Sequence, residues 1–134
     1  MSAFGHRYRF LTLLRASLVV GALYDLGFGV LMVFAPETPA RIFGLPLPPL
    51  PEGAFYLWIM ATLLAMLAVL YLVAAQDPRR YSAVIAVAIG GRTIGAAAFT
   101  LAALSTGLSG LYPLAAADLA FALAHAVFWW PTRS

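Results

Sequence analysis

The stretch FYLWIMATLLAMLAVLYLVAA, residues 55–75, contains no charged side chain. A helix rises about 1.5 Å per residue, so a run of this length crosses the roughly 30 Å hydrocarbon core of a bilayer. Three further apolar runs occupy residues 10–34, 81–103 and 111–130, and 63% of the 134 residues are hydrophobic against 10% charged. Barrel strands are disfavoured because the runs do not alternate and exceed the roughly ten-residue length of such strands. We therefore predict an all-α, polytopic membrane protein with four transmembrane helices.

The connections between the runs predict how the helices are arranged. The segments QDPRR and STGLSGLYP form short turns, which place consecutive helices side by side and antiparallel. Residues 36–53, PETPARIFGLPLPPLPEG, predict a short interfacial helix capped by Thr38, starting at Pro39 and ending at Gly44, and then an extended proline-rich strap. We interpret the strap as a rigid connector, with a lid or docking surface as the alternative. Residues 1–134 thus form one up-down-up-down bundle domain in this prediction.

Charges and aromatic residues predict the orientation of the bundle. Basic residues are all arginine, and most of them flank one end of the runs: Arg7, Arg9, Arg15, Arg79, Arg80 and Arg133. By the positive-inside rule, both termini face the cytoplasm. The abundance of Ala, Gly and Pro is typical of a GC-rich bacterial genome, so we expect the bacterial inner membrane. An interfacial belt is predicted from the aromatic residues near the run ends: Tyr8, Tyr56, Trp58, Tyr71, Tyr81, Tyr112, Trp129 and Trp130.

Three ionisable residues, Asp25, Arg92 and Asp118, lie inside the predicted spans. A charge in the hydrocarbon core costs a few kcal/mol or more unless it is paired. Measured from the cytoplasmic side by helical rise, Asp25 lies about 22 Å deep, Arg92 about 16 Å and Asp118 about 21 Å. We therefore expect the guanidinium to meet both carboxyl groups. One arginine against two aspartates leaves surplus negative charge, so one carboxyl is expected to hold a proton, and the network is either a packing device or a proton or ion site.

Small residues accompany these charges. Gly21 and Gly29 flank Asp25 at four-residue spacing, and Gly91 and Gly95 form a G-x-x-x-G step in the third run. Small residues at this spacing let helix backbones approach closely. We predict helix packing at these four glycines, within one chain or across a dimer.

A proton relay is a further interpretation of the interior. His125 lies on the same helix face as Asp118, two turns nearer the cytoplasm, and Tyr24 and Thr93 supply hydroxyl groups. Two turns span about 11 Å, so waters would have to bridge them. The alternative is a histidine bonded to a backbone carbonyl. The two histidines of the chain lie on different elements without a carboxylate at i+3 or i+4, and no cysteine is present, so we predict no metal site and no cofactor.

The glycine-rich first helix ending in VFAPETPARIFGLP and the two compact helices after QDPRR resemble small four-span bacterial proteins of the DoxX-like and related uncharacterised families. The resemblance covers most of the chain and rests on architecture and a loop pattern. The second run lacks the acidic residue associated with DoxX-like proteins. Members of these families are described as accessory partners of membrane oxidoreductases, so the resemblance implies an accessory subunit.

Three functions follow from these observations. No G-x-S-x-G, Walker, dinucleotide or H-E-x-x-H motif occurs, and the arginines form no basic stripe, so we expect neither an enzyme nor nucleic-acid binding. The first expectation is a non-enzymatic accessory or scaffold protein in the lipid bilayer, working as a homo-oligomer or in a larger membrane complex around the Asp-Arg-Asp network. The alternative is a small dimeric transporter or channel for a proton, ion or small polar solute. The second alternative is a binder of a lipid-like or quinone-like ligand, lined by Phe28, Phe99, Phe121 and Trp129.

Overall fold

The computed structural model describes residues 3–133, with side chains from residue 7 onward. This part of the chain contains helices and no strand, so the all-α prediction is confirmed. The helices are α1 (Ala3–Phe34), α2 (Glu37–Phe43), α3 (Ala54–Gln76), α4 (Ser82–Thr106) and α5 (Leu111–Trp129), followed by a 3-10 helix at Trp130–Thr132. Helices α1, α3, α4 and α5 are each long and apolar enough to cross a membrane.

Two of the long helices extend beyond the predicted apolar runs. Helix α1 begins at Ala3, well before Phe10, because the polar residues of this segment include good helix formers and no proline precedes Pro36. Helix α4 continues to Thr106, where Gly107 adopts a left-handed φ of 75° and donates its N–H to a carbonyl of the last turn. The start of α1 and the end of α4 are therefore determined by helix propensity and by a terminating glycine, and not by where the apolar runs begin and end.

The long helices are arranged as two tightly packed pairs, α1 with α3 and α4 with α5. The two pairs contact each other mainly through α1 and α5. The contact between α3 and α4 is sparser than the contacts within the pairs and than the contact between α1 and α5. Gly29 allows the close approach of α1 to α3, because a Cβ there would lie 3.3 Å from the carbonyl oxygen of Ala61. The sparse seam between α3 and α4 leaves space inside the bundle.

The bundle has two different ends. The basal end contains residues 77–81 of the α3–α4 turn, the 3-10 helix and the adjoining part of α1. Arg15 of α1 there donates a hydrogen bond to the Gln76 carbonyl. Its interior is packed with small and aliphatic side chains: Leu14, Leu18, Ala22, Ala68, Ala74, Ala75, Ile85 and Ala88. The strap end contains α2, residues 45–53 of the strap and the α4–α5 turn.

Helix α2 lies across the strap end and differs at its start from the prediction. It begins at Glu37 after Pro36, and no side chain caps it, so the predicted Thr38 cap is wrong. Pro36 is already in helical conformation and its carbonyl accepts a hydrogen bond from the N–H four residues later, which moves the helix start forward. Gly44 ends α2 with a left-handed φ of 61°, as the sequence predicts.

The strap is held against the strap end by close backbone contacts. A Cβ at Gly110 in the α4–α5 turn would collide with the carbonyl oxygen of Phe43. A Cβ at Gly53 would lie 2.7 Å from the carbonyl oxygen of Pro49. Glycine at these two positions lets α2 and the strap pack closely across the strap end of the bundle.

Candidate functional site

One guanidinium joins all four long helices. From α4, Arg92 donates through Nη2 to both carboxylate oxygens of Asp25 on α1, each at 2.7 Å, and through Nη1 to Oδ1 of Asp118 on α5 at 2.5 Å. Its Nε donates to the hydroxyl of Tyr71 on α3 at 3.2 Å. The exposed fractions are 0% for Asp25, 7% for Arg92 and 8% for Asp118. The three charged residues, which the sequence places at similar depth, therefore meet in the interior of the bundle.

Glycines next to this ionic network provide the space for it. A Cβ at Gly95 would lie 2.5 Å from Oδ2 of Asp118, so only glycine fits there without moving the carboxylate. A Cβ at Gly21 would lie 3.5 Å from the ring of Tyr71, which is ordinary contact. Gly91 has nothing within 4 Å of a built Cβ and is exposed. Gly91 therefore makes no helix packing within this chain, and packing across a dimer stays a prediction for it.

Aromatic rings surround the guanidinium. The Cζ atom of Arg92 lies 5.7 Å from the ring centroid of Tyr24, 5.5 Å from that of Tyr71 and 5.0 Å from that of Phe121. A cation this close to an aromatic ring is attracted by the negative face of the ring when it is over that face. The rings also shield the ion pairs from water, which strengthens the electrostatic attraction.

The role of Tyr71 differs from its predicted one. The sequence predicts it as a member of the interfacial belt, but its exposed fraction is only 2% and its hydroxyl accepts from Arg92. The belt prediction is therefore wrong for this residue. Ala68 and Ala75 stand three residues before and four residues after Tyr71, and all three are buried on one face of α3.

His125 is fully buried and makes a hydrogen bond with a serine. Its Nδ1 lies 3.1 Å from Oγ of Ser17, and this hydroxyl donates to the carbonyl of Leu14 at 2.9 Å. Because the serine proton is used, Nδ1–H donates to Oγ, and Nε2 carries the lone pair. Nε2 has no hydrogen-bond partner in the described part of the chain. The partner of His125 is thus a side chain that sequence reasoning missed.

The structure places one of the predicted relay residues away from the network. Thr93 is exposed and donates to the carbonyl of Ile89 at 2.8 Å, so its hydroxyl lies away from the network. Tyr24 lies beside the network through its ring. The rings of Tyr71 and Phe121 contact both His125 and the guanidinium, and within the described residues no chain of hydrogen bonds joins the two.

A cavity of about 490 Å³ lies between the network and the strap end. Its floor is formed by the ionic network and Tyr71, and its walls by apolar side chains of α3 and α4: Leu57, Met60, Leu64, Leu67, Val87, Gly91 and Phe99. Helix α2 and the strap form its roof through Pro39, Ala40, Leu45, Pro46, Leu47 and Pro48. The cavity lies along the sparse contact between α3 and α4. The Arg92–Tyr71 hydrogen bond joins α3 and α4 at the cavity floor.

Two of the four aromatic residues predicted for a ligand site line this cavity. Phe28 and Phe99 are part of its wall. Phe121 lies behind the network, against Arg92 and Tyr24. Trp129 lies at the basal end, where Arg133 covers its ring at 4.5 Å. The site therefore combines an apolar chamber with one charged surface.

The described residues contain no group of three or more His, Cys, Asp or Glu side chains that could hold a metal ion. Comparisons with protein-family models, with curated proteins and with solved structures found no match to this chain. The function is therefore argued from the geometry of the site.

Proposed function

We propose that this protein is an integral protein of the bacterial inner membrane that holds an amphipathic small molecule in the cavity between α3 and α4. The observation that carries the proposal is the cavity itself, with apolar walls, a roof formed by the strap and a floor of ion pairs. Pockets that hold small ligands are concave and mostly apolar, with a few polar groups that fix the orientation of the ligand. A molecule with an apolar body and one polar end fits this distribution.

The proposed setting is a bilayer crossed by α1, α3, α4 and α5, with both termini in the cytoplasm. The length and apolarity of these helices and the arginines at the basal end support it. In this setting the seam between α3 and α4 opens toward the acyl chains. An amphipathic molecule enters sideways from the bilayer, and its polar end reaches the floor.

Passage through the bundle is less well supported than holding. Below the network the interior is closed by Leu14, Leu18 and Ile85, whose side chains are fully buried. His125, also fully buried, is hydrogen-bonded to Ser17 at this level. A transporter or channel needs a wet path on both sides of its site, and the packing of the described basal end argues against one.

The proposal is tested by filling the cavity. Gly91→Leu places a side chain into the cavity, and a Cβ at this position meets nothing within 4 Å, so the variant is expected to fold. Gly27→Leu is the matched control, because Gly27 is exposed on α1, outside the cavity lining, and its Cβ also meets nothing. Each protein is extracted in a mild non-ionic detergent, and the molecules that co-purify are identified by mass spectrometry.

We expect one amphipathic molecule per chain in the wild type and in Gly27→Leu, and its loss in Gly91→Leu. The proposal is contradicted if the wild type carries no such molecule. It is equally contradicted if Gly91→Leu retains the molecule at the level of the control.

A non-enzymatic scaffold or accessory subunit is the second candidate. It is favoured by one observation, namely that the side chain of Arg92 joins the four long helices through hydrogen bonds to Asp25, Tyr71 and Asp118. The DoxX-like resemblance supports the same role. This candidate predicts a homo-oligomer or a stable protein complex in native mass spectrometry that does not depend on a bound small molecule.

A further inference from the structure

We infer that the polar end of the bound molecule is a monocation, a protonated amine, which pairs with the carboxylate of Asp118. This inference rests on the proposed function and specifies its ligand class. It follows from two features of the cavity floor, the hydrogen bond that remains unmade and the sum of the charges.

One carboxylate oxygen of Asp118 makes no hydrogen bond within the described residues. All three nitrogens of Arg92 already donate, and both oxygens of Asp25 already accept. Oδ1 of Asp118 accepts from Nη1, but Oδ2 has no hydrogen-bond partner in the described residues. Oδ2 is not fully buried and keeps some accessible surface.

The accessible surface of Asp118 is in the cavity. Its side chain is 12% exposed, more than the side chains of Arg92 and Asp25, and it lines the cavity floor. Gly95 next to it also lines the cavity, and a larger residue there would occupy the space beside Oδ2. Oδ2 of Asp118 is therefore a charged hydrogen-bond acceptor that the floor offers to a ligand.

The charges of the floor indicate which donor fits. One guanidinium and two ionised carboxylates sum to −1, and this surplus charge in a low-dielectric interior is costly unless a proton or a bound cation offsets it. A monocation at Oδ2 brings the sum to zero and makes a charge-assisted hydrogen bond. An anionic end would bring the sum to −2 and place like charges together. The apolar body of the molecule then extends along Leu64, Leu67 and Phe99 toward the roof.

The experiment compares three molecules that share an apolar chain and differ in head charge: dodecylamine, dodecanol and dodecanoate. Wild-type protein in phosphatidylcholine nanodiscs is titrated with each, and bound molecules are counted by native mass spectrometry. We expect the amine to bind on the order of tenfold more tightly than the alcohol, as a charge-assisted hydrogen bond exceeds a neutral one. The carboxylate is expected to bind more weakly than the alcohol.

The variant Asp118→Asn is expected to reduce the preference for the amine over the alcohol to within about twofold, while Asp77→Asn, an exposed control at the basal turn, keeps it. Phosphatidylethanolamine added to the nanodiscs separates two sources of the amine. Displacement of dodecylamine indicates a lipid headgroup, and retention indicates a single-chain amine.

The inference is overturned if the wild type binds all three head groups equally or prefers the carboxylate. If equal binding is nevertheless abolished by Gly91→Leu, the proposed function stands and only the ligand class is wrong. If none of the three molecules binds and nothing co-purifies with the protein, the proposed function fails as well. The head-group series on the wild type decides these outcomes even if Asp118→Asn fails to fold.

Discussion

Replacing Arg92 with leucine is expected to cause the largest loss of stability of any single substitution in the ionic network. The change removes ion pairs to Asp25 and Asp118 and the hydrogen bond to Tyr71, and it leaves two carboxyl groups in the interior. Removing one partner of a buried ion pair costs about 3–5 kcal/mol. The stranded carboxyls can take up protons, so we expect the lower end, about 3 kcal/mol. This corresponds to a change of roughly a hundredfold in the folding equilibrium constant.

The free energy of unfolding is measured by titrating detergent-solubilised protein with sodium dodecyl sulfate and following circular dichroism and tryptophan fluorescence. Arg41→Leu is the control, because Arg41 is exposed on α2 and its replacement is expected to change the free energy by less than about 0.5 kcal/mol. Arg92→Lys is expected to fall between the two, since one ammonium group lacks the planar fork that reaches three partners.

The stabilising role assigned to Arg92 is wrong if Arg92→Leu loses less than about 1 kcal/mol relative to the Arg41 control, because removing one partner of a buried ion pair is strongly destabilising. It is also refuted if Arg92→Lys is as stable as the wild type. Either result would mean that the contacts of the guanidinium contribute little to holding the helices together.

Two further substitutions test the surroundings of the network in the same titration. Gly95→Ala is expected to lower the free energy of unfolding by about 1–3 kcal/mol, because its Cβ would lie 2.5 Å from Oδ2 of Asp118. Gly91→Ala, whose Cβ meets nothing within 4 Å, is expected to raise it by up to about 1 kcal/mol through helix propensity. Equal effects of the two substitutions would argue against this geometry. Ser17→Ala is expected to cost about 1–3 kcal/mol because it strands Nδ1–H of His125. Adding His125→Leu should restore most of that loss, and a double variant less stable than the single one would count against the assigned hydrogen bond.

The meeting of Asp25, Arg92 and Asp118 was predictable because the physical constraint on it is severe. A low-dielectric interior strongly penalises an unpaired charge, and helical rise alone puts the three residues within reach of one another. The four long helices were predictable for a related reason, since their length follows from uninterrupted apolar runs. These arguments need only depth along each helix.

The identity of the remaining partners depends on rotation about each helix, which the sequence specifies poorly. The long helices are apolar on nearly all faces, so no amphipathic stripe indicates which side of α3 presents Tyr71 or which side of α4 presents Thr93. The pairing of Ser17 with His125 likewise follows from how α1 and α5 pack. Tertiary packing determines these contacts, and the hydrophobic periodicity of the sequence gives no information about this packing.

The cavity was also not predictable from the sequence. Prolines predict an extended strap but not its path. That path depends on the contact between Phe43 and Gly110 at the strap end. The volume below the strap lies along the sparse contact between α3 and α4, which is a property of the whole bundle rather than of any one segment.

A crystal structure grown from a lipidic phase, with the co-purified molecule retained, would show directly whether the cavity holds a ligand. We expect one elongated molecule between α3 and α4, with its polar end within about 3.5 Å of the Asp118 carboxylate and its apolar part under the strap. A structure in which α3 and α4 close the cavity, or in which the Arg92 guanidinium faces the acyl chains, would contradict this expectation.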